Sequence, residues 1–196
     1  MSDSADLLRA YLLYFILPLW IVAGLSDYAL HRRTQIAHTS GTKESLLHLL
    51  QLGETGLPVL MGLLLDINAL VLLLMLVALA AHQATAMWDA RYAITRRYVG
   101  PLEQQVHSFL VLLPLMGVSF VTILYWDQWL ALFGLGLETP RFEIRLKEPP
   151  LPLGYLLGLF TAILIFVVLP FVEELHRCMQ VSRVRDTPAE NLRRAA

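Results

Sequence analysis

Long runs of apolar residues, separated by shorter polar stretches, dominate the chain. Three of these runs reach the length of about 20 residues that a helix needs to cross a bilayer. They contain the stretches YLLYFILPLWIVAGL, FLVLLPLMGVSFVTILYW and LGYLLGLFTAILIFVVLPFV. The runs predict membrane-crossing helices at about residues 7–31, 103–130 and 153–176.

The middle of the chain, residues 43–90, allows two interpretations. One is a single crossing from about Leu57 to Ala84, which gives four crossings in total. At about 1.5 Å per residue, such a helix would span roughly 40 Å, against about 30 Å for the hydrocarbon core. It would also place the polar Asp66 and Asn68 within the lipid, which is costly.

The other interpretation is a hairpin of two crossings, 43–65 and 68–90, with a turn between them. Asp66 and Asn68 then lie at an interface, and Asn68 is a typical N-cap residue. Helix 43–65 contains polar residues and Pro58, so we expect it to face protein and to bend there. We therefore expect five transmembrane helices, with four as the alternative.

Composition supports an all-α integral membrane helix bundle with a single domain. Of the 196 residues, 57% are hydrophobic and 16% are charged, whereas soluble domains are nearer half apolar and about a quarter charged. The net charge of −1 gives no electrostatic basis for binding nucleic acid. The single cysteine, Cys178, excludes an internal disulfide and a thiolate metal cluster.

The basic residues predict the orientation of the bundle. With five crossings, 11 lysines and arginines fall on one side and four on the other, and with four crossings the split is nine to six. Cytoplasmic loops carry the excess of positive charge, so the sharper split favours five crossings. We expect a bacterial inner-membrane protein with its N-terminus outside and its C-terminus in the cytoplasm. Residues 177–196 are expected to form a flexible cytoplasmic tail.

Acidic residues and histidines recur with helical spacing near the helix ends. Residues four apart are neighbours on a helix surface, and residues seven apart nearly eclipse each other. With five crossings, all of these pairs fall on the cytoplasmic side. The pairs are Asp27 and His31 in the first helix, Glu44 and His48 in the second, His82 and Asp89 in the third, Glu103 and His107 in the fourth, and Glu173 or Glu174 with His176 in the fifth.

Carboxylates and imidazoles contributed by several helices are the ligands of a two-metal site. Carboxylates bridge and neutralise two divalent cations, and imidazoles fill positions without adding charge. Without cations, acids buried in an apolar bundle would be costly. We expect two divalent ions, with iron first and manganese or zinc as alternatives. The candidate ligands are Asp27, His31, Glu44, His48, His82, Asp89, Glu103, His107, Glu174 and His176.

Arginines near the same helix ends have three interpretations. They could bind a phosphate of a lipid headgroup or another substrate, and the candidates for this role are Arg32, Arg91 and Arg96. They could instead extend to lipid headgroups, as we expect for Arg97. An ionic network with the acids is the third interpretation, which would hold the cytoplasmic rim together without any metal, and its members would be Arg32, Arg33, Arg91 and Arg96.

Three further features lie outside this set. His38 belongs to the polar loop TQIAHTSGT, where we expect it to be exposed. Glu54 lies deeper than His48, and we expect it to pack between helices, with an inner ligand or a proton relay as alternatives. Residues 132–152 alternate apolar and charged positions, which predicts a strand-like or interfacial segment that caps the outer end of the bundle.

At the level of these motifs, the chain resembles two groups of di-metal proteins. One is the ferritin-like di-iron carboxylate bundles, which use E-x-x-H on their helices. The other is the membrane fatty-acid desaturases and hydroxylases, which gather histidines on the cytosolic face of a transmembrane bundle. The spacing here is D/E-x-x-x-H, and the chain has no H-x-x-H-H box. The resemblance covers the ligand-bearing helix ends and implies di-iron oxidation chemistry.

Three functions fit these features. The first is a membrane-embedded di-iron oxidoreductase that uses O2 and an electron donor to oxidise a lipid or other apolar substrate at the cytoplasmic side. Oxygen and lipid both partition into the bilayer, so a site there could receive both. The second is a metal-dependent hydrolase or phosphotransferase of lipid headgroups. The third is a non-enzymatic metal carrier or structural membrane subunit.

Overall fold

In the described part of the chain, the computed structural model contains five helices long and apolar enough to cross a membrane. The structure describes the backbone of residues 2–194 and the side chains of residues 4–184. The prediction of an all-α integral membrane bundle with five crossings is confirmed, and the four-helix alternative is wrong.

The crossing helices are α1, α2, α3, α4 and α6, and a short helix, α5, follows α4. A single 3-10 turn, Ile36–His38, joins α1 to α2. Helix α1 consists of Ser2–Tyr11, a π-helical turn at Leu12–Ile16, and Leu17–Arg33. Helices α2, α3 and α4 span Thr42–Leu64, Ala69–Ile94 and Pro101–Leu124, and the short helix α5 spans Trp126–Ala131. Helix α6 consists of Leu153–Ile163, a π-helical turn at Leu164–Val168, and Leu169–Arg194.

Two helix ends differ from the sequence prediction. The helix predicted over 103–130 ends at Leu124, because the backbone of Tyr125 leaves the helical region at φ −120° and ψ 42°. The flexible tail predicted from residue 177 is instead a continuation of α6 to Arg194. Cys178 of that continuation is buried against the turn that joins α1 to α2, which holds the helix in place. Residues 195 and 196 lie outside the described part.

Widened turns precede a proline in both α1 and α6. The two π-helical turns end two residues before Pro18 and Pro170. A proline has no N–H to donate, and its ring clashes with the carbonyl four residues earlier. The wider turn accommodates the missing hydrogen bond, so each helix continues through its proline without ending.

The chain reverses direction between α2 and α3, as the hairpin interpretation predicts. The Asn68 side chain accepts hydrogen bonds from the backbone N–H groups of Leu70 and Val71, at 3.1 and 3.3 Å. This geometry confirms Asn68 as the N-cap of α3. Asp66 forms an ion pair with Arg141 at 2.9 Å, so the acid at the turn is paired on the outer end of the bundle.

An extended segment between α5 and α6 caps this turn, as predicted for residues 132–152. The Lys147 N–H donates to the Leu64 carbonyl at 2.8 Å, and the Asp66 N–H donates to the Arg145 carbonyl at 2.9 Å. The pairing is limited to a single antiparallel bridge among the described residues. The segment therefore satisfies backbone groups at the end of α2 without forming a sheet.

The five crossing helices form a closed ring. Helix α1 packs against α4 and α6, helix α2 packs against α3 and α6, and α3 packs against α4. The order around the ring is thus α1, α4, α3, α2 and α6. Because successive crossings alternate in direction, the end of α1, the start of α2, the end of α3 and the start of α4 meet at one end. We call this the site end of the bundle.

The outer face of the ring is apolar on every crossing helix. Large hydrophobic side chains are exposed there, as lipid contact requires. One example from each crossing helix, in chain order, is Val22, Leu57, Val77, Ile123 and Leu157. Buried apolar residues fill the interior between α1, α4 and α6, and they include Ile16, Trp20, Leu113, Val167 and Phe171.

Candidate metal centre

Side chains from all five crossing helices converge inside the site end of the bundle. Eight of the ten predicted ligands belong to this group, which we call the central cluster. All of them are buried except His107, whose side chain is 23% exposed. The eight are Asp27 and His31 from α1, Glu44 and His48 from α2, Asp89 from α3, Glu103 and His107 from α4, and Glu174 from α6.

Two stacked imidazoles form the middle of the central cluster. The rings of His31 and His48 lie 4.4 Å apart, with 9° between their planes. The two carboxylate oxygens of Glu174 lie 3.1 Å from His31 Nδ1 and 3.0 Å from His48 Nδ1. An ionised carboxylate only accepts hydrogen bonds, so each Nδ1 carries its proton. Each Nε2 is then free to face another partner.

The Nε2 atom of His31 faces one group of acids. It lies 3.3 Å from Asp27 Oδ1 and 3.2 Å from Glu103 Oε1. The same Asp27 oxygen lies 3.0 Å from His107 Nε2. Asp27, His31 and His107 each offer a donor atom, and these atoms lie within 4.8 Å of one another. This spacing is small enough for a single metal ion to be shared.

The Nε2 atom of His48 faces a second group. It lies 3.3 Å from Asp89 Oδ2 and 4.0 Å from Glu44 Oε1. His31, Glu44 and His48 form a second set whose donor atoms lie within 4.8 Å of one another. The Gln51 amide donates to Asp89 Oδ2 at 3.2 Å. Gln51 is three residues after His48 on α2, so helical spacing alone would have indicated it.

Four ligand atoms of the central cluster form no well-aligned hydrogen bond with the described side chains, although three of them lie 3.0–3.3 Å from another atom of the cluster. They are Asp27 Oδ1, His31 Nε2, His48 Nε2 and Asp89 Oδ1. The side chains that carry them are at least nine-tenths buried. A buried polar atom without a partner is costly, and a metal ion bound to these atoms would remove that cost. The donor set, nitrogen and oxygen without sulfur, fits iron, manganese or zinc.

Arg97 enters the central cluster from the connection between α3 and α4, contrary to the prediction that it extends to lipid headgroups. Its guanidinium donates hydrogen bonds to the carboxylates of Glu44 and Glu103, and its side chain is only 3% exposed. Burial opposes the charged form, but these hydrogen bonds outweigh burial and raise the pKa of Arg97 above its ordinary value. Helical spacing could not have identified Arg97 as a member of the cluster, because it lies outside the helices.

The formal charges of the central cluster match two divalent cations. Its five carboxylates and one guanidinium leave four negative charges when the three imidazoles are neutral. Four uncompensated charges buried inside the bundle would be very costly. Two divalent ions carry four positive charges, which would make the whole group neutral.

Two predicted ligands lie away from the central cluster. His82 is seven residues before Asp89, about 10 Å along α3, and its Nε2 lies 3.2 Å from the Leu110 carbonyl oxygen. His176 is exposed and lies 3.4 Å from the Gln180 amide. It follows Glu174 by two residues, which rotates it to the opposite side of α6. The predictions that His82 and His176 contact the other ligands are wrong.

Glu174 and Glu173 also separate clearly. Glu174 is buried and accepts hydrogen bonds from the Nδ1 atoms of His31 and His48, so it fixes both imidazole rings on the side away from Nε2. Glu173 is partly exposed and pairs with Arg32 at 3.1 Å, and it accepts a hydrogen bond from Tyr28 at 2.8 Å. The spacing E-E-L-H could not distinguish these two acids.

The three arginines proposed to bind substrate do not face the central cluster. Arg32 and Arg91 are exposed, and the exposed guanidinium of Arg96 lies 5.4 Å from the Tyr92 ring centre. Arg32 follows the buried His31 by one residue and Arg91 follows the buried Asp89 by two, and these rotations of about 100° and 200° turn both side chains outward. His38 is exposed, as predicted.

Two cavities lie inside the ring next to the central cluster. The smaller, about 40 Å³, is lined by Asp27 and His48 at one side and by His82 and Thr55 at the other. The larger, about 140 Å³, continues away from the site end between α1, α2, α3 and α4. His82 and Thr55 line both, so the apolar interior of the bundle leads to the central cluster.

Comparisons of the chain with protein-family models, with characterised proteins and with solved structures found no match.

Proposed function

We propose that this protein binds two divalent metal ions, both iron, and that it oxidises an apolar molecule within the membrane. The observation that carries the proposal is the set of four buried ligand atoms in the central cluster that form no well-aligned hydrogen bond, beside two groups of ligand atoms that lie within 4.8 Å of one another. His31 and His48, one from each donor group, stack on each other, and the larger cavity deeper in the ring is lined mostly by apolar side chains. This combination favours chemistry on an apolar substrate over storage of the metal alone.

Each part of the central cluster has a distinct role in this proposal. Asp27, His31 and His107 would hold one ion, and Glu44 and His48 would hold the other; His31 can ligate only one ion, because Nε2 is its single free nitrogen. Glu174 fixes the proton on Nδ1 of both central imidazoles, which directs Nε2 toward the ions. Asp89 and Glu103 supply further oxygens to the two groups.

Bound as a pair, ferrous ions would supply the reducing capacity and Lewis acidity with which O2 is activated. An electron donor outside the chain would return the ions to the reduced state. The residues of the chain orient the ligands, balance their charge through Arg97 and hold the apolar molecule away from water in the cavities. In the di-iron bundles and membrane desaturases that the motifs resemble, the helices likewise hold the metal ions, and the metal ions supply the oxidation chemistry.

The alternative of a headgroup hydrolase or phosphotransferase has less support. A phosphate needs cations or hydrogen-bond donors that are free to bind it. Arg32 is engaged with Glu173 on the surface, and Arg97 already donates to two glutamates. The larger cavity is lined mostly by apolar side chains. These features favour an acyl chain or similar molecule at the site over a headgroup.

The proposal is tested by metal analysis of protein purified from membranes. We expect about two ions per chain, mainly iron, and the near-ultraviolet absorption of an oxygen-bridged iron pair. Fewer than about one ion for every two chains would contradict the proposal and leave an ionic network of imidazoliums and carboxylates. Two ions of zinc or manganese without that absorption would contradict the assignment to iron.

We infer separately that the site end faces the cytoplasm of a bacterial inner membrane, because 11 of the 15 lysines and arginines lie on that side. Thr39 and Thr139 are exposed threonines at the two ends of the bundle. With Thr139→Cys, a membrane-impermeant maleimide should react in intact cells. With Thr39→Cys, it should react only after the membrane is permeabilised. The reverse pattern would overturn this orientation, and the buried Cys178 keeps the background low.

A further inference from the structure

Residues 142–146 belong to the extended segment between α5 and α6, and we call them the edge segment. The carbonyls of Glu143 and Arg145 face the turn between α2 and α3. They accept hydrogen bonds there from the Asn68 amide and the Asp66 N–H, at 2.8 and 2.9 Å. In an extended strand, the backbone groups of successive residues point to opposite sides. The N–H and C=O groups of the alternate residues therefore point away from this turn.

The outward side of the edge segment is an unpaired strand edge. Among the described residues, the backbone groups of Phe142, Ile144 and Leu146 have no hydrogen-bond partner. The same three residues are 59%, 70% and 73% exposed. Unpaired backbone groups and exposed hydrocarbon therefore occur together at the outer end of the bundle.

Neither water nor lipid hydrocarbon satisfies both features of this edge. Water forms hydrogen bonds with backbone groups but leaves three large apolar side chains exposed. Lipid hydrocarbon covers apolar side chains but offers no hydrogen-bond partner to the backbone. A second extended strand does both, because it pairs with the backbone edge and packs its own side chains beside the exposed ones.

The sequence of the edge segment is self-complementary. It reads FEIRL, so apolar and charged residues alternate about the central Ile144. In an antiparallel pair centred on Ile144, Phe142 lies opposite Leu146 of a second copy, and Glu143 lies opposite Arg145. Within one chain, Arg145 lies 3.0 Å from Glu143, so both charges occupy the same face of the strand. Opposite charges directly across a strand pair are stabilising.

The backbone has the phase that this register requires. In antiparallel pairs, opposed residues alternate between those that exchange two hydrogen bonds and those that exchange none. Ile144 points its N–H and C=O outward, so a pair centred on it places every outward backbone group opposite another outward group. A second copy of the chain therefore matches the edge in backbone, apolar side chains and charge.

We propose that this protein forms a two-fold symmetric dimer in which the edge segments of two copies pair as antiparallel strands centred on Ile144. A two-fold axis brings the same surface of both copies together, which requires a self-complementary patch. Both copies are confined to one membrane, which raises their effective concentration and favours pairing through a short edge. The interface lies at the end of the bundle opposite the central cluster, so it does not depend on metal binding.

Disulfide cross-linking in native membranes tests the pairing. Opposed residues that exchange hydrogen bonds in an antiparallel pair have Cα atoms about 5.5 Å apart, within the range that a disulfide spans. After oxidation with copper phenanthroline, we expect Ile144→Cys to give a disulfide-linked dimer on a non-reducing gel. Thr139→Cys, at an exposed position outside the edge segment, should give several-fold less dimer. The native chain, whose Cys178 is buried, gives the background.

Two further cysteine variants test the register. Phe142 lies opposite Leu146 of the second copy, whereas the two copies of Phe142 are four residues apart along the pair. At about 3.4 Å per residue this separation is roughly 14 Å, which is too far for a disulfide. Membranes that contain both Phe142→Cys and Leu146→Cys chains should form cross-linked dimers, and each variant alone should form several-fold fewer.

Charge exchange tests the complementarity of the edge. In the Ile144→Cys chain, Glu143→Arg places like charges opposite each other across the pair, and we expect several-fold less cross-linked dimer. Adding Arg145→Glu to the same chain restores opposite charges at both positions. We expect this double exchange to return the yield to that of Ile144→Cys alone, which a general loss of folding would not do.

Equal cross-linking of Ile144→Cys and Thr139→Cys would overturn the inference and leave the edge segment in contact with lipid or water. Cross-linking of Phe142→Cys alone at the yield of the mixed membranes would also overturn it, because random collision gives that result. A yield that Glu143→Arg leaves unchanged would contradict the proposed register.

Discussion

Replacement of Arg97 by alanine is expected to lower the free energy of unfolding by about 3–5 kcal/mol, enough to leave much of the protein unfolded in mild detergent. The guanidinium donates to both Glu44 and Glu103, and its side chain is 3% exposed. Without it, two buried carboxylates lose a common cation. The measurement is unfolding in mixed micelles by titration with sodium dodecyl sulfate, followed by tryptophan fluorescence.

Two further arginine variants define what this effect depends on. Arg96→Ala removes the preceding, exposed arginine and should change the free energy of unfolding by less than about 0.5 kcal/mol. Arg97→Lys keeps the charge but loses the planar fork that reaches two carboxylates at once, so an intermediate loss is expected. If Arg97→Ala unfolds at the same detergent fraction as Arg96→Ala, the ion pairs do not stabilise the bundle.

Replacement of His31 by alanine is expected to affect both metal ions, while replacement of His107 affects only one. His31 can ligate one ion through Nε2, and its ring stacks on His48, a ligand of the other ion, with Glu174 joining the two imidazoles. Metal analysis should therefore fall from two ions per chain to well below one in His31→Ala and to about one in His107→Ala. The contrast follows from the position of His31 between the two groups.

This comparison needs protein that is still folded. Size-exclusion chromatography and circular dichroism of both variants provide that check, because a misfolded bundle would lose metal for a trivial reason. Equal losses in two well-folded variants would show that His31 does not support the second ion. His38→Ala, at an exposed histidine outside the bundle, should retain both ions and serves as the matched control.

The sequence predicted the fold well because the bilayer restricts the alternatives. Hydrophobic length and the cost of placing Asp66 in lipid together required the turn at Asn68, which the structure contains. The widened turns before Pro18 and Pro170 were not predicted. A proline in a helix allows a kink, a break or a π turn, and the choice among them depends on packing that one helix does not encode.

The site was predicted in part, and the errors have a common origin. Spacing on one helix shows that Asp27 and His31 share a face, but it does not say which face meets the centre of the ring. His82 has suitable chemistry but lies about two turns too deep, and Arg97 reaches the centre from outside the helices. Depth and the course of a connecting segment are set by how the helices pack together.

The position of α6 has a consequence for how the chain assembles in the membrane. It is the last of the described helices, yet it closes the ring between α1 and α2 and carries Glu174, which joins His31 to His48. During synthesis, the first four crossing helices would leave a gap in the ring that is open to lipid. Several acids beside this gap would lack one of their partners until α6 is inserted. Such an intermediate would be exposed to premature degradation, so assembly of the ring depends on the prompt insertion of α6.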